Sequence, residues 1–239
     1  MSIQKKLVFD LETVGEDFDA IDETSQESLT RWIAREAADE KEYQHLLEDL
    51  KNGLGFSPLT GAVVALGVLD PDSNEGAVYY QAPGERHQEF SEAGIKYKQF
   101  DEAGILDQFW KLAENVAVFI SFNGRAFDVP FLNIRSAVRN VRPTKDLMRG
   151  RYLYQQDPRA VHIDLLDQLT YYGAVWKKGN LHLWSRAFGI PSPKAAGTTG
   201  DDVGRLFKEK KYLDIARYNV GDLQATRALY KKWAEYLQF

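Results

Sequence analysis

Cysteine is absent from the 239-residue sequence, and histidine and methionine are scarce, with four and two copies. The lack of thiols excludes a disulfide framework and thiolate chemistry, which fits a reducing compartment. His45, His87 and His182 lie in none of the spacings typical of metal ligands. No run of about 18 apolar residues is present, and no signal-type apolar segment follows the first residues. We therefore predict a soluble cytoplasmic protein without a membrane span.

The charge is unevenly distributed along the chain, although the net charge is only −5. Residues 15–50 contain 12 acidic and 3 basic side chains, whereas residues 139–239 contain 18 basic and 10 acidic ones. A basic C-terminal half permits binding to a phosphate backbone but does not require it. The length suits one substantial domain, and without an obvious linker we predict a single domain over 1–239.

Hydrophobic periodicity predicts a mixed α/β fold. An acidic, polar segment over about 17–56 reads as a helical insertion after the first strand, and its acidity favours a solvated face over a gate above a site. A hairpin then joins a sheet that later receives helix–strand units, which excludes an all-parallel sheet. The predicted strands are 7–9, 61–69, 76–81, 116–121 and 161–163, and the later helices are 100–114, 129–139, 165–172, 181–188, 203–210 and 212–238.

Two carboxylates follow the apolar run of the first strand. Because side chains alternate along a strand, Asp10 and Glu12 point to the same face, about 7 Å apart. Such a pair is tolerated next to a buried strand only if it is protonated, paired or bridged by a cation. Oxygen ligands without cysteine favour Mg²⁺ or Mn²⁺. Taken alone, the pair is also typical of a strand that ends in a solvated turn.

Two further acids occupy positions where chemistry is expected. Asp128 follows a buried strand and a turn containing Asn123, and strand carboxyl ends are common ligand sites in open α/β sheets. Asp128 could equally cap the helix that follows. Tyr218 and Asp222 are four residues apart in the predicted C-terminal helix and share one face. Taken one at a time, Tyr218 is typical of a core aromatic residue and Asp222 of a surface acid.

In combination, these segments resemble three motifs of one enzyme superfamily. Phe-Asp-Leu-Glu-Thr, Asn-Gly-x-x-Phe-Asp-x-Pro-Phe-Leu and Tyr-x-x-x-Asp occur in the order found in DEDD 3′→5′ exonucleases, which have a ribonuclease H-like fold. The tyrosine of the third motif is typical of the DEDDy branch. The DEDDh branch would have a histidine five residues before the last Asp, and that position is Arg217 here. The stretches 162–165, 181–191 and 200–203 are similar to the exonuclease domain of family B DNA polymerases and its stand-alone relatives.

The resemblance implies a ribonuclease H-like mixed sheet flanked by helices and a two-metal site. Asp10 would bridge two Mg²⁺ or Mn²⁺ ions, Glu12 and Asp222 would complete one site, and Asp128 would serve the other. Tyr218 would orient the attacking water, because a free phenol has a pKa of about 10. The implied activity releases nucleoside 5′-monophosphates from single-stranded 3′ ends, with DNA favoured over RNA, and suits DNA repair in trans.

The resemblance further implies that Thr13, Asn123 and Phe127 contact the terminal nucleotide, although each also has an ordinary structural explanation. For Lys194, a solvated loop lysine is favoured over a phosphate contact. Asp164 is expected to cap the helix that follows it. Three alternatives remain. They are a catalytically silent module that binds nucleic-acid ends, a ribonuclease H-like endonuclease, and a scaffold acting through the acidic insertion.

Overall fold

A seven-stranded mixed sheet forms the centre of the computed structural model, which describes residues 5–191 and 202–238. The strand order is β4-β5-β3-β2-β1-β6-β7. The pairs β1/β6, β6/β7 and β3/β5 are parallel, and the other pairs are antiparallel. The sheet is therefore mixed, as predicted from the sequence. The strands are β1 (Lys6–Gly15), β2 (Gly61–Leu69), β3 (Gly76–Tyr80), β4 (Phe90–Glu92), β5 (Ile95–Gln99), β6 (Val118–Ser121) and β7 (Val161–Asp164).

Helices cover both faces of the sheet. They are α1 (Glu23–Thr30), α2 (Ile33–Glu36), α3 (Glu40–Gly53), α4 (Glu102–Ala113), α5 (Asp128–Val138), α6 (Leu165–Leu169), α7 (Leu181–Ala187), α8 (Val203–Lys208) and α9 (Tyr212–Tyr236). Short 3-10 turns occupy Phe18–Ala20, Leu54–Phe56 and Leu153–Gln155. Within the described ranges, no helix has the length and apolarity needed to cross a bilayer.

Strand β1 separates two hydrophobic cores. Val8 faces the core built with α6, α8 and α9, whereas Leu7, Phe9 and Leu11 face the core built with α4 and α5. Burial of one such large side chain contributes about 1.5–3 kcal/mol, so the alternation fixes which face of β1 points to which layer. Asp10 therefore lies on the α9 side of the sheet.

A buried ion pair ties α4 to α5. Glu102, at the start of α4, accepts hydrogen bonds from Nε and Nη2 of Arg135, both at 2.8 Å, and from Arg139. The same carboxylate accepts the backbone N–H of Val63 at 2.9 Å, where β2 extends beyond the end of β3. Because α5 carries Asp128 at its first residue, this pair also fixes the helix from which Asp128 projects.

Three segments differ from the sequence-based prediction. The region before α4 was expected to be a loop, but it contains the hairpin β4–β5, in which Ala93 and Gly94 adopt positive φ as hairpin turns prefer. The expected single helical segment is divided into α1, α2 and α3, with Asp22 and Asp39 capping two of them. Helix α6 also ends earlier than predicted, because Tyr171 and Tyr172 adopt positive φ.

Candidate active site

Three carboxylates from opposite ends of the sequence meet where α9 packs across β1. One oxygen each of Asp10, Glu12 and Asp222 lies within 4.8 Å of the others. The alternation of β1 places the first two on one face, as predicted, and α9 supplies the third. An oxygen-only group of this kind suits a hard divalent cation.

Asp128 lies beside this group, at the first residue of α5. Its Oδ1 accepts a hydrogen bond from the backbone N–H of Leu11 at 3.2 Å, and its charge raises the pKa of Asp10. The helix cap considered as an alternative is not its role, because Phe127 occupies the N-cap position. Gly124 is required in the preceding turn, since a Cβ there would overlap the Ser121 side chain.

The electrostatics of the four acids are unfavourable without a cation. Burial first, and then the neighbouring carboxylates, raise the pKa values of Asp10 and Glu12 well above normal. Burial likewise raises the pKa of Asp128 to about 7. Glu12 is only 7% exposed, and its Oε1 has no hydrogen-bond partner among the described residues. The donor set and this orphaned oxygen fit a divalent metal ion, which would supply the missing contact.

Tyr218 lies one helical turn before Asp222 and lines the same cleft. Burial, followed by the charge of Asp222, raises the pKa of its phenol above the usual value of 10, and it is hydrogen-bonded to Asp222. The phenol is therefore protonated throughout the neutral range. It can hold a water or an oxyanion through its hydroxyl.

Asp10, Glu12 and Asp222 line a cleft of about 590 Å³, whereas Asp128 is not part of its lining. The end of the acidic insertion forms one wall through Lys51, Asn52, Gly55 and Phe56, and α8 contributes Arg205 and Lys208. The insertion was expected to present a solvated face. The N-terminal part of the insertion presents exposed acidic side chains to solvent, as expected, but the C-terminal end of the insertion borders the cleft.

The three predicted substrate contacts lie in different surroundings. Thr13 lines the cleft, but its hydroxyl donates to the carbonyl of Gly55 at 2.6 Å. Phe127 also lines the cleft, and its ring lies 6.4 Å from that of Phe56. Asn123 lies outside this cleft, in a second pocket, with φ of 64°. Lys194 is outside the described residues.

Two residues not singled out from the sequence hold Asp10 in place. Asn219 Nδ2 donates to Asp10 Oδ2 at 2.8 Å, and Gly67 lies opposite Asp10 on β2. A Cβ at Gly67 would overlap the amide of Asn219, so glycine makes room for this contact. The spacing of Asn219 three residues before Asp222 was the available signal, whereas the role of Gly67 depends on strand register.

Asp164 combines two roles. As predicted, it caps α6, since its Oδ1 accepts the N–H of Leu166 at 2.9 Å. It also accepts the backbone N–H groups of Asn123 and Arg125, both at 2.9 Å. This carboxylate therefore fixes the loop that leads from β6 to Asp128.

Comparisons with known proteins support the fold and show the family. No curated protein matches the chain. The structure of the family B DNA polymerase from the hyperthermophilic archaeon Pyrobaculum calidifontis is similar at 17% sequence identity with a TM-score of 0.58. The similarity covers 97% of this chain but 24% of the polymerase, and it confirms the ribonuclease H-like fold.

A family model matches residues 79–237, a range that includes Asp128 and Asp222. The chain belongs to the family described as predicted 3′-5′ exonucleases related to the exonuclease domain of PolB.

Proposed function

We propose that the protein is a metal-dependent 3′→5′ exonuclease that releases nucleoside 5′-monophosphates from single-stranded ends, with DNA favoured over RNA. The observation that carries the proposal is the meeting of Asp10, Glu12 and Asp222 in an open cleft, where burial and the neighbouring carboxylates raise the pKa values of Asp10 and Glu12. A purely structural site would not retain crowded carboxylates with raised pKa values. Trimming of 3′ ends suits a role in DNA repair.

The four acids would divide the work of holding two divalent ions. Asp10, Glu12 and Asp222 would hold one, and Asp10 and Asp128 would hold the second. Ions at such a site activate water, neutralise the scissile phosphate and stabilise the leaving 3′-oxygen. Asn219 keeps Asp10 oriented through its amide, which limits the freedom of the shared ligand.

The remaining residues position the reactants. Water attacks phosphorus, the P–O3′ bond breaks, the water gives up its proton to solvent, and the leaving 3′-oxygen takes one from solvent. Tyr218 orients the attacking water with its protonated phenol. Lys208 on α8 adds positive charge to the wall of the cleft, where a phosphate would lie. Phe127 and Phe56 offer ring surface for the terminal base.

The proposal is tested by a time course with 5′-labelled single-stranded DNA and with RNA of the same sequence, in Mg²⁺, Mn²⁺ or EDTA. The wild type should produce a ladder that shortens from the 3′ end, faster on DNA, and EDTA or Asp10→Ala should abolish it. Asp107→Ala, on the exposed face of α4, is the matched control and should behave as wild type.

Two outcomes contradict the proposal. Protein that binds Mn²⁺ and nucleic acid but cleaves neither strand would be a silent binding module. Internal cuts without a ladder would indicate an endonuclease.

A further inference from the structure

A second pocket, of about 280 Å³, shares a loop with the candidate active site. Phe127 lines the cleft, whereas Asn123 and Arg125 of the same loop line the second pocket. Strands β1, β6 and β7 are parallel neighbours, so their carboxyl ends lie along one edge of the sheet. The second pocket is therefore next to the cleft on the β7 side of that edge.

Aromatic residues flank this pocket. Tyr152 follows Arg151 of the lining, Trp176 lies two residues before Lys178 of the lining, and the guanidinium of Arg151 lies 5.9 Å from the ring of Tyr172. We call Tyr152, Tyr154, Tyr172 and Trp176 the aromatic surface. Tyr154 is 83% exposed and Trp176 is 91% exposed. Tyr152 links the three tyrosines, because it is stacked on Tyr154 at 5.8 Å and contacts Tyr172 at 4.6 Å. Rings this exposed add almost nothing to the stability of the core, and a cluster of them indicates a binding surface.

Basic side chains are interleaved with these rings. Residues 149–178 contain five basic and three acidic side chains. The acids are already engaged: Asp157 pairs with Arg159, Asp167 pairs with Arg151, and Asp164 is buried as the cap of α6. The second pocket is lined by Arg125, Arg151 and Lys178 and also by Asp164 and Asp167. Because Arg151 is paired with Asp167, Arg125 and Lys178 are the residues of this pocket that offer positive charge to a ligand.

We infer that the aromatic surface and the second pocket bind the single strand on the 5′ side of the nucleotide being removed. Bases would stack on Tyr154 and Trp176, and phosphates would meet Lys178 and Arg125. Charges distributed among the rings suit nucleic acid better than a protein partner, because the centre of a protein interface is depleted of charge. This inference rests on the proposed function, since that function defines which end of the strand lies in the cleft.

The test compares a double variant, Tyr154→Ala with Trp176→Ala, with the wild type in two assays. The first measures the Kd for a long fluorescent single-stranded DNA in EDTA, where cleavage does not interfere. The second measures hydrolysis of a dinucleotide, which extends only one nucleotide beyond the scissile bond. The variant should lose about 5- to 100-fold in affinity for the long strand and retain dinucleotide hydrolysis.

Two controls separate the surface from general effects. Tyr236→Ala removes an exposed ring 14 residues beyond Asp222 on α9, about 21 Å along the helix axis, and should change neither assay. Lys178→Gln should reduce the slope of log Kd against log salt by about 0.7, whereas Lys231→Gln at the far end of α9 should not. A parallel arm with RNA should show the same loss, because stacking does not depend on the sugar.

The outcomes are distinguishable from failure of the proposed function. If the wild type cleaves both substrates and the double variant binds the long strand equally well, the inference is wrong and the exonuclease proposal stands. An equal loss on the dinucleotide and the long strand would also overturn it, because the effect would then reach the cleft. If the wild type cleaves neither substrate but the double variant loses affinity, the surface stands and the exonuclease proposal does not.

Discussion

Two buried carboxylate sites in this molecule have opposite electrostatic states. Burial alone would raise the pKa of Glu102, but hydrogen bonds from Arg135, Val63 and Arg139 outweigh it, and the pKa lies below normal. In the candidate active site, burial and neighbouring acids raise the pKa values of Asp10 and Glu12. A buried carboxylate thus has its charge compensated by arginines in one place, whereas in the other it faces further carboxylates and Glu12 Oε1 has no hydrogen-bond partner among the described residues.

The difference separates a stabilising site from a functional one. A buried acid with three donors belongs to the architecture, and here it anchors α5. Buried acids without sufficient donors store unfavourable electrostatic energy that a bound cation can relieve. Each of the following changes affects one site and leaves the other as an internal control.

The largest expected effect on stability comes from Glu102→Gln. The substitution leaves Arg135 buried without its full charge partner, so the free energy of unfolding should fall by about 3–5 kcal/mol. Urea unfolding monitored by tryptophan fluorescence would measure it. Asp10→Asn should not destabilise the metal-free protein, because it removes one of several like charges. Equal destabilisation by both variants would contradict the contrast between the sites.

Metal ions should act on the acidic site alone. Mg²⁺ or Mn²⁺ at about 100 times its Kd should stabilise the folded protein by about 2.7 kcal/mol, because the folded state binds it and the unfolded state does not. Thermal melts in a metal titration would show the shift. Asp10→Asn should abolish it, and Glu102→Gln should retain it from a lower starting temperature. A shift that survives in Asp10→Asn would place the cation elsewhere.

The contact between Asn219 and Asp10 offers a finer test. Asn219→Ala removes the donor, and Gly67→Ala displaces it by filling its space, so both should weaken metal affinity and activity by about 10- to 100-fold. Gly53→Ala, which points into open space, is the control. Higher Mn²⁺ concentration should rescue much of the activity. A loss that no metal concentration restores would mean that the amide does not act through Asp10.

A biphasic dependence of stability on pH is expected in EDTA. Asp128, with a pKa of about 7, binds its proton more tightly when folded, so stability should rise by roughly 2–3 kcal/mol as the pH falls from 8 toward 5, and the raised pKa values of Asp10 and Glu12 act in the same direction. Glu102 has a lowered pKa, so its contribution is present above its normal value of 4.5 and is lost as the pH falls through its folded value.

Denaturant unfolding of two variants would assign the two limbs of this pH profile. Asp128→Asn should reduce the rise toward pH 5, with Asp10 and Glu12 still contributing, and Glu102→Gln should remove part of the fall in acid. If Asp128→Asn leaves the upper limb unchanged, Asp128 is not the group whose burial opposes folding.

Features with local periodicity could be predicted from the sequence. The shared face of Asp10 and Glu12 follows from strand alternation, and the pairing of Tyr218 with Asp222 follows from helical spacing. Hairpin β4–β5 was missed because strands of three and five residues give too short an alternating pattern. That residues 1–239 form one domain, and that Thr13, Asn123 and Phe127 touch substrate, stay predictions.

Features that depend on register or tertiary packing could not be predicted. The role of Gly67 depends on its pairing with Asp10, and the β1–β2 register shifts between Glu12 and Thr13. The hydroxyl of Thr13 is used by Gly55 because the insertion returns along β1, which no local pattern encodes. The hydrogen bond from Leu11 to Asp128 joins residues 117 positions apart.

The distance along the chain between the two halves of the acidic site has a consequence for its biosynthesis. Asp10 and Asn219 touch although they lie 209 positions apart. At about 5–20 residues per second, a ribosome needs roughly 10–40 s to travel between them. Throughout that interval the nascent chain displays Asp10 and Glu12 without Tyr218 or Asp222. A ribosome-bound chain that ends before Asp222 therefore carries only part of the acidic group, and Asp10, Glu12 and Asp222 can come together only after translation has passed Asp222.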